Sequence, residues 1–135
     1  MAFADKAGAR GIDYSIDLWD ATSGTLLRSL PGHHAAISGT AWSPDGKRLA
    51  SSAYDGTVRF WNPDTGQPLG LLLSLRDSQV LAITPAGHYR GSPQAQRELV
   101  YVALTDDGQQ LTLAPQQFAE KYGWQNEPEK VRLVD

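Results

Sequence analysis

Two stretches of this sequence superimpose without a gap at an offset of 42 residues. Asp13, Trp19, Asp20 and Gly24 fall on Asp55, Trp61, Asn62 and Gly66, and Leu27 and Leu30 fall on Leu69 and Leu72. Farther along, Pro44 and Gly46 fall on Pro85 and Gly87 at an offset of 41. A chain repeating at such a period is built of supersecondary units that cannot bury their apolar faces alone, so each must stack on a neighbour.

The chemistry inside one unit points to strands. Ala36–Trp42 and Arg48–Ala53 are short, partly alternating segments. Ser43, Pro44, Asp45 and Gly46 separate them, proline pre-setting the turn and glycine accepting positive φ. Asp55 and Gly56 form a tight hairpin signal. Thr57–Trp61 then alternates, with Val58 and Phe60 on one face and Thr57, Arg59 and Trp61 on the other. Asp64, Thr65 and Gly66 make the next turn. Four strands joined by short turns, repeating every 40–45 residues or so with a Trp-Asp end, describe a propeller blade.

Gly32–His33, Ser43–Gly46, Leu49–Ser52, Asp55–Thr57 and Trp61–Asn62 together resemble one full WD40 repeat, and Trp19–Asp20 resembles the end of the repeat before it. The resemblance implies an all-β fold of WD40-like β-propeller blades. In that family a histidine, a serine, an aspartate and the strand tryptophan form a hydrogen-bond network inside each blade. It therefore assigns His33, Ser51 or Ser52, Asp55 and Trp61 to fold stability, and Asp13 and Trp19 to the same role one repeat earlier. It also implies a non-catalytic platform for a protein or peptide partner.

The expected layout is about two and a half four-stranded antiparallel blades with a short C-terminal helix. Met1–Asp5 and Asp13–Trp19 supply the end of a first blade, residues 24–62 a complete set of four strands, and residues 67–113 another set. The chain then divides into residues 1–75, a partial and a complete blade, and 76–135, a divergent terminal blade with helix and tail. In the divergent part Gln79–Thr84, Glu98–Thr105 and Gln110–Leu113 read as strands and His88–Arg97 as a long connection. Pro115–Tyr122 reads as a helix that Pro115 opens, with Thr112 or Ala114 near the cap, and Gly123 closes. The run Gly87–Pro93, with Leu99–Val102 and Phe118–Trp124, is similar to the C-terminal ends of large bacterial WD40 proteins. There, a propeller often follows a serine/threonine kinase or a caspase-like domain.

Closed propellers hold 4–8 blades, more than 135 residues can supply. Three arrangements stay open: part of a longer propeller, a ring assembled from copies of the chain, or an open fragment with exposed strand edges. The tail, Lys130–Val134, alternates like a strand that pairs with such an edge.

Chemistry that makes or breaks bonds has little support. His33, a serine and Asp55 offer the residue types of a Ser-His-Asp triad, but no nucleophile elbow surrounds either serine. His34 and His88 stand apart with no cysteine to join them, so no metal or cofactor is expected. Gly87–Gly91 lacks the Lys and Ser/Thr of a phosphate loop. Asp45, Asp55, Asp64, Asp106 and Asp107 each lie at a turn, without the paired spacing of acid–base catalysis. For a partner, the candidates are Tyr14, Trp42 and Tyr54 near strand ends and His88, Tyr89 and Arg90 in a loop, with blade packing as the competing role for Trp42.

A net charge of −3 gives no basic footprint for nucleic acid. The absence of cysteine removes disulfides and thiolate chemistry. The first residues lack the pattern of a secretory signal, and the longest apolar run, Leu71–Leu73, is far short of a bilayer span. These features suit a cytoplasmic protein that acts by display, in a homo-oligomer or a longer propeller; the alternative is a terminal structural module with no partner of its own.

Overall fold

The computed structural model describes residues 2–6, by backbone alone, and 14–133. Its strands lie in three antiparallel sheets. β1 (Ala2–Lys6), β2 (Tyr14–Asp20) and β3 (Leu26–His33) form the first, in sequence order. The second contains β4 (Ile37–Trp42), β5 (Leu49–Ala53), β6 (Thr57–Trp61), β7 (Pro68–Ser74), β8 (Val80–Ile83) and β9 (Tyr89–Gly91), again in sequence order. β10 (Tyr101–Leu104) and β11 (Gln110–Leu113) make a separate hairpin. Two helices, α1 (Pro93–Gln96) and α2 (Pro115–Tyr122), flank that hairpin in the chain.

The repeat is visible as repeated turn chemistry. After β2, Asp20 Oδ1 accepts from the Thr22 amide at 2.7 Å, and 42 residues later Asn62 Oδ1 accepts from the Asp64 amide at 3.0 Å. The amides of Gly24 and Gly66 close both turns on the carbonyls of Asp20 and Asn62 at 2.7 and 2.8 Å. Asparagine therefore replaces aspartate at the end of the complete repeat without loss, because the side chain serves as an acceptor for its own turn. α2 is bounded as the sequence suggests: Pro115 starts it, Gln117 Oε1 accepts from the Ala114 amide at 2.9 Å, and Gly123 ends it at φ 64°.

The pairing corrects two expectations about the blades. Residues 24–62 do not make one four-stranded blade, because β3 pairs with β2 and stays in the first sheet while β4–β6 enter the second. The repeat thus stitches two sheets together covalently. Nor do residues 67–113 make another blade. β7 pairs with β6 on one side and β8 on the other, so β8 and β9 lengthen the second sheet instead of starting a new one. Only β10 and β11 stand apart. β9 falls inside what reads as a loop, because three residues carry too little periodicity to register.

Register sorts the second sheet into two faces, since directly paired residues share a face. Trp42, Leu49, Ser51, Arg59, Trp61, Leu71, Leu73, Leu81, Ile83 and Tyr89 lie on one. Its inner half packs on the first sheet, where Leu49 and Trp61 meet Ile16, Leu18 and Leu30, with Ile37 and Trp42 at the margin. Its outer half carries a second core, in which Leu81, Tyr89 and Ala95 of α1 meet Leu73, Leu99, Tyr101 and Trp124.

The opposite face holds Ala41, Ala50, Val58, Phe60, Gly70, Leu72, Ala82 and Arg90. At the 42-residue offset, Val58 and Phe60 correspond to Ile16 and Leu18, which bury against the next sheet along. Here the C-terminal segment takes that place. Asn126 brackets the backbone of Tyr89, accepting from its amide at 2.8 Å and donating to its carbonyl at 2.9 Å, as a neighbouring strand would. The chain then turns onto the far face. The Arg90 guanidinium donates to the Val131 carbonyl at 3.1 Å, Arg48 donates to the Leu133 carbonyl at 2.7 Å, and Leu133 packs on Gly70. The expected edge strand at residues 130–134 is corrected to a short 3-10 turn over Pro128–Lys130 followed by Val131 and Leu133, both buried. The alternation marks a buried stripe, but it buries on a sheet face, and residue 134 lies outside the described region.

Candidate functional site

β3, β5, the β5–β6 turn and β6 bring His33, Ser51, Asp55 and Trp61 together at the junction of the two sheets. The Trp61 indole N–H donates to Ser51 Oγ at 2.9 Å, and the Ser51 hydroxyl lies 2.7 Å from His33 Nε2. His33 Nδ1 lies 2.9 Å from Asp55 Oδ2. One proton arrangement satisfies every member: Ser51 donates to Nε2 of a neutral His33, whose Nδ1–H donates to the carboxylate. Asp55 Oδ2 also accepts from the His34 amide at 3.0 Å. Oδ1 accepts from the Thr57 amide at 2.9 Å and the Thr57 hydroxyl at 2.6 Å. Burial alone would raise the Asp55 carboxyl. The hydrogen bonds from Thr57, His34 and His33 outweigh burial and hold it well below its ordinary value of 3.8.

The same connectivity would serve a nucleophile, since Ser51, His33 and Asp55 stand in the order of a Ser-His-Asp triad. Access decides between the two roles. Ser51 is 1 % exposed and His33 6 %, and Ser51 Oγ is engaged by both Trp61 and His33. Ser51 thus has no face toward solvent, and the hydrogen bonds of the set form a polar clasp that ties β3 to the β5–β6 hairpin.

The other candidates fall elsewhere. Ser52 lies on the opposite face from Ser51 and pairs with the Ser38 hydroxyl at 2.9 Å, so it is not in the clasp. Trp19 sits half-buried on the face of β2 away from Ile16 and Leu18, and Asp13 lies outside the described residues. Thr57 is a member of the clasp that sequence reasoning missed, although its place after Asp55 and Gly56 is a signal for it.

Among the residues expected to reach a partner, Tyr54 is 80 % exposed at the tip of the β5–β6 turn. Tyr14 is half-buried at the start of β2, and Trp42 packs against the first core. His88 and Tyr89 are corrected from loop contacts to buried residues. His88 stacks on Trp124 with ring centres 5.2 Å apart, and its Nδ1 accepts from the Glu127 amide at 3.1 Å. Arg90 is exposed, but its guanidinium is engaged by the tail. Among the described residues no three His, Asp or Glu side chains are grouped to hold a metal, and no helix is long and apolar enough to cross a membrane.

Residues 24–62 match the family model of the WD domain, G-beta repeat. The chain is 43 % identical over 60 residues to coronin-7 of Rattus norvegicus, a match covering 44 % of this chain and 6 % of that protein. It is 41 % identical over 56 residues to the nuclear distribution protein PAC1 of Arthroderma benhamiae, covering 42 % of this chain and 12 % of the relative. Over 77 residues it is 39 % identical to the serine-threonine kinase receptor-associated protein of Bos taurus, covering 55 % of this chain and 22 % of that protein. The chain thus spans only a small part of the length of the relatives it matches. The residues that match the family model, 24–62, contain β3 to β6 and with them the clasp.

Proposed function

We propose that this chain is a non-catalytic interaction module, in which stacked antiparallel sheets hold turns rigid for a protein or peptide partner. The observation that carries the reading is the buried clasp. It engages a triad-like residue set in fixing the β5–β6 hairpin, and that hairpin presents Tyr54 to solvent. A large aromatic side chain held out on a short, internally bonded turn offers contact area at low entropic cost. The name of the Bos taurus relative records association with a receptor kinase, and proteins are the partner class we propose here, with nucleic acid disfavoured by the net charge of −3. Residence in the cytoplasm belongs to the same proposal.

The test compares immobilised wild-type chain with Tyr54→Ala. Tyr54 makes no core contact, so unfolding should change by less than about 0.5 kcal/mol. At least one specifically retained protein should be lost from the variant; an identical retained set would defeat the reading.

A second reading, a structural module within a larger propeller, is favoured by the tail that covers the far face of the second sheet. Under it, β1, an edge strand of its sheet, receives further strands from a longer propeller or from a second copy. Light scattering decides between a 14.7 kDa monomer and an assembly.

A further inference from the structure

Outside residues 24–62, α1, the start of α2 and the segment around Trp124 line an open cavity of about 560 Å³. Its walls include Pro93, Pro115, Tyr89 and Trp124. The volume lies in the range of ligand sites, and the proline and aromatic walls suit an apolar body. Two groups at this site are unspent. Tyr89 is only 7 % exposed, yet its hydroxyl has no hydrogen-bond partner among the described residues. Arg97 is the single charged residue lining the cavity, and it makes no ion pair among the described residues. The neighbouring amides are occupied: Gln96 donates to the Gly91 carbonyl at 2.8 Å, Gln116 to Glu120 at 3.1 Å, and Asn126 to Tyr89. The donors that remain are a guanidinium and a phenolic O–H, beside an apolar wall. Burial pushes the Tyr89 hydroxyl above its ordinary value, which keeps it a donor at neutral pH.

We propose that this cavity binds the free carboxylate of a peptide ending in an apolar or aromatic residue, with Arg97 and Tyr89 holding the carboxylate and Pro93, Pro115 and Trp124 receiving the side chain. The inference deepens the interaction-module reading, on which it rests, by naming the partner chemistry at a site separate from Tyr54. An acidic group is selected because the charged side chain lining the cavity is a guanidinium, whose planar fork pairs with a carboxylate through two hydrogen bonds. The C-terminus is selected over an aspartate or glutamate side chain because one residue then supplies both the anion and the apolar body.

The test is an NMR titration of the full chain with an acetylated peptide ending in phenylalanine, read at the Trp124 indole resonance. The free-acid peptide should shift Trp124. The same peptide as its C-terminal amide should bind roughly tenfold more weakly or worse, as should the acid on Arg97→Gln, an exposed substitution. Tyr89→Phe, which keeps the ring in the core, should weaken the acid several-fold. Equal binding of acid and amide, or no shift at Trp124, overturns the proposal. Shifts confined to the Tyr54 turn overturn this site while leaving the interaction-module reading in place.

Discussion

Replacing Trp61 with alanine is expected to unfold most of the two sheets that meet at the first core. Trp61 is 2 % exposed and is the largest side chain in the first core, where it joins Leu49 to Ile16, Leu18 and Leu30 of the neighbouring sheet. Truncating a buried tryptophan costs about 3–5 kcal/mol through lost transfer energy and the cavity left behind. The loss also leaves Ser51 without its indole donor, weakening the clasp at a second point. Against a typical domain stability of about 5–15 kcal/mol, that is a large fraction. Thermal unfolding followed by circular dichroism should show a midpoint lower by roughly 10–20 °C, or no cooperative transition. Trp61→Phe keeps most of the packing and should recover more than half of the loss. A Trp61→Ala midpoint within a few degrees of the wild type would show that the two sheets do not depend on this contact.

Gly70→Ala should be nearly as damaging, for a different reason. Gly70 sits in β7 at φ 145°, outside the range that side chains readily adopt. An added Cβ would lie 2.5 Å from the Ile83 carbonyl oxygen in β8 and 2.3 Å from Leu133 Cδ2. Leu133 can swing aside, but a backbone carbonyl held in the β7–β8 ladder cannot move without opening the ladder. Overpacking and backbone strain together cost roughly 3–5 kcal/mol. The tail should lift from the sheet as well, because Leu133 loses its seat. Gly24→Ala is the matched control: it too has positive φ, but its added Cβ meets nothing within 4 Å, so about 1 kcal/mol is expected. Urea unfolding of the two variants measures the difference. Equal losses would mean that the tail and β8 do not press on Gly70.

Much of this arrangement is legible in the residues, and the illegible parts share a cause. The 42-residue offset is read directly from the residues, and Asp20 and Asn62 act within one turn, where local chemistry decides; the tie of His33 to Asp55 comes instead from the resemblance to the WD40 repeat. Ser51 could have been preferred to Ser52 by alternation, since it shares a face with Leu49 and Trp61. Thr57 needs only the observation that a buried aspartate seeks more than one donor. The destination of β8 is different in kind. Val80–Ile83 reads as a strand, but nothing in four residues says whether it starts a new sheet or continues the old one. His88 and Tyr89 look like loop residues because their burial comes from Trp124, Asn126 and Glu127, nearly forty residues away. In the tail, period-two alternation correctly marks Val131 and Leu133 for burial, yet alternation does not distinguish a strand edge from a sheet face.

Ser51, His33, Asp55 and Trp61 are proposed to stabilise the fold and to do no chemistry. The direct measurement is unfolding free energy against pH for the wild type and Asp55→Asn, from about pH 7 to about pH 3. Asp55 has a folded value depressed below its ordinary 3.8, so its charged form is the one the fold favours. Its contribution is therefore fully present above that value and is lost as the pH falls through the depressed folded one. At neutral pH the variant should be weaker by about 1–3 kcal/mol, because an amide N–H would face the His33 N–H. Below about pH 4 the two curves should begin to converge, because the carboxylate protonates in the unfolded chain before it does in the folded one. Parallel curves, or a variant more stable than the wild type at neutral pH as expected for a strained catalytic carboxylate, would contradict the account.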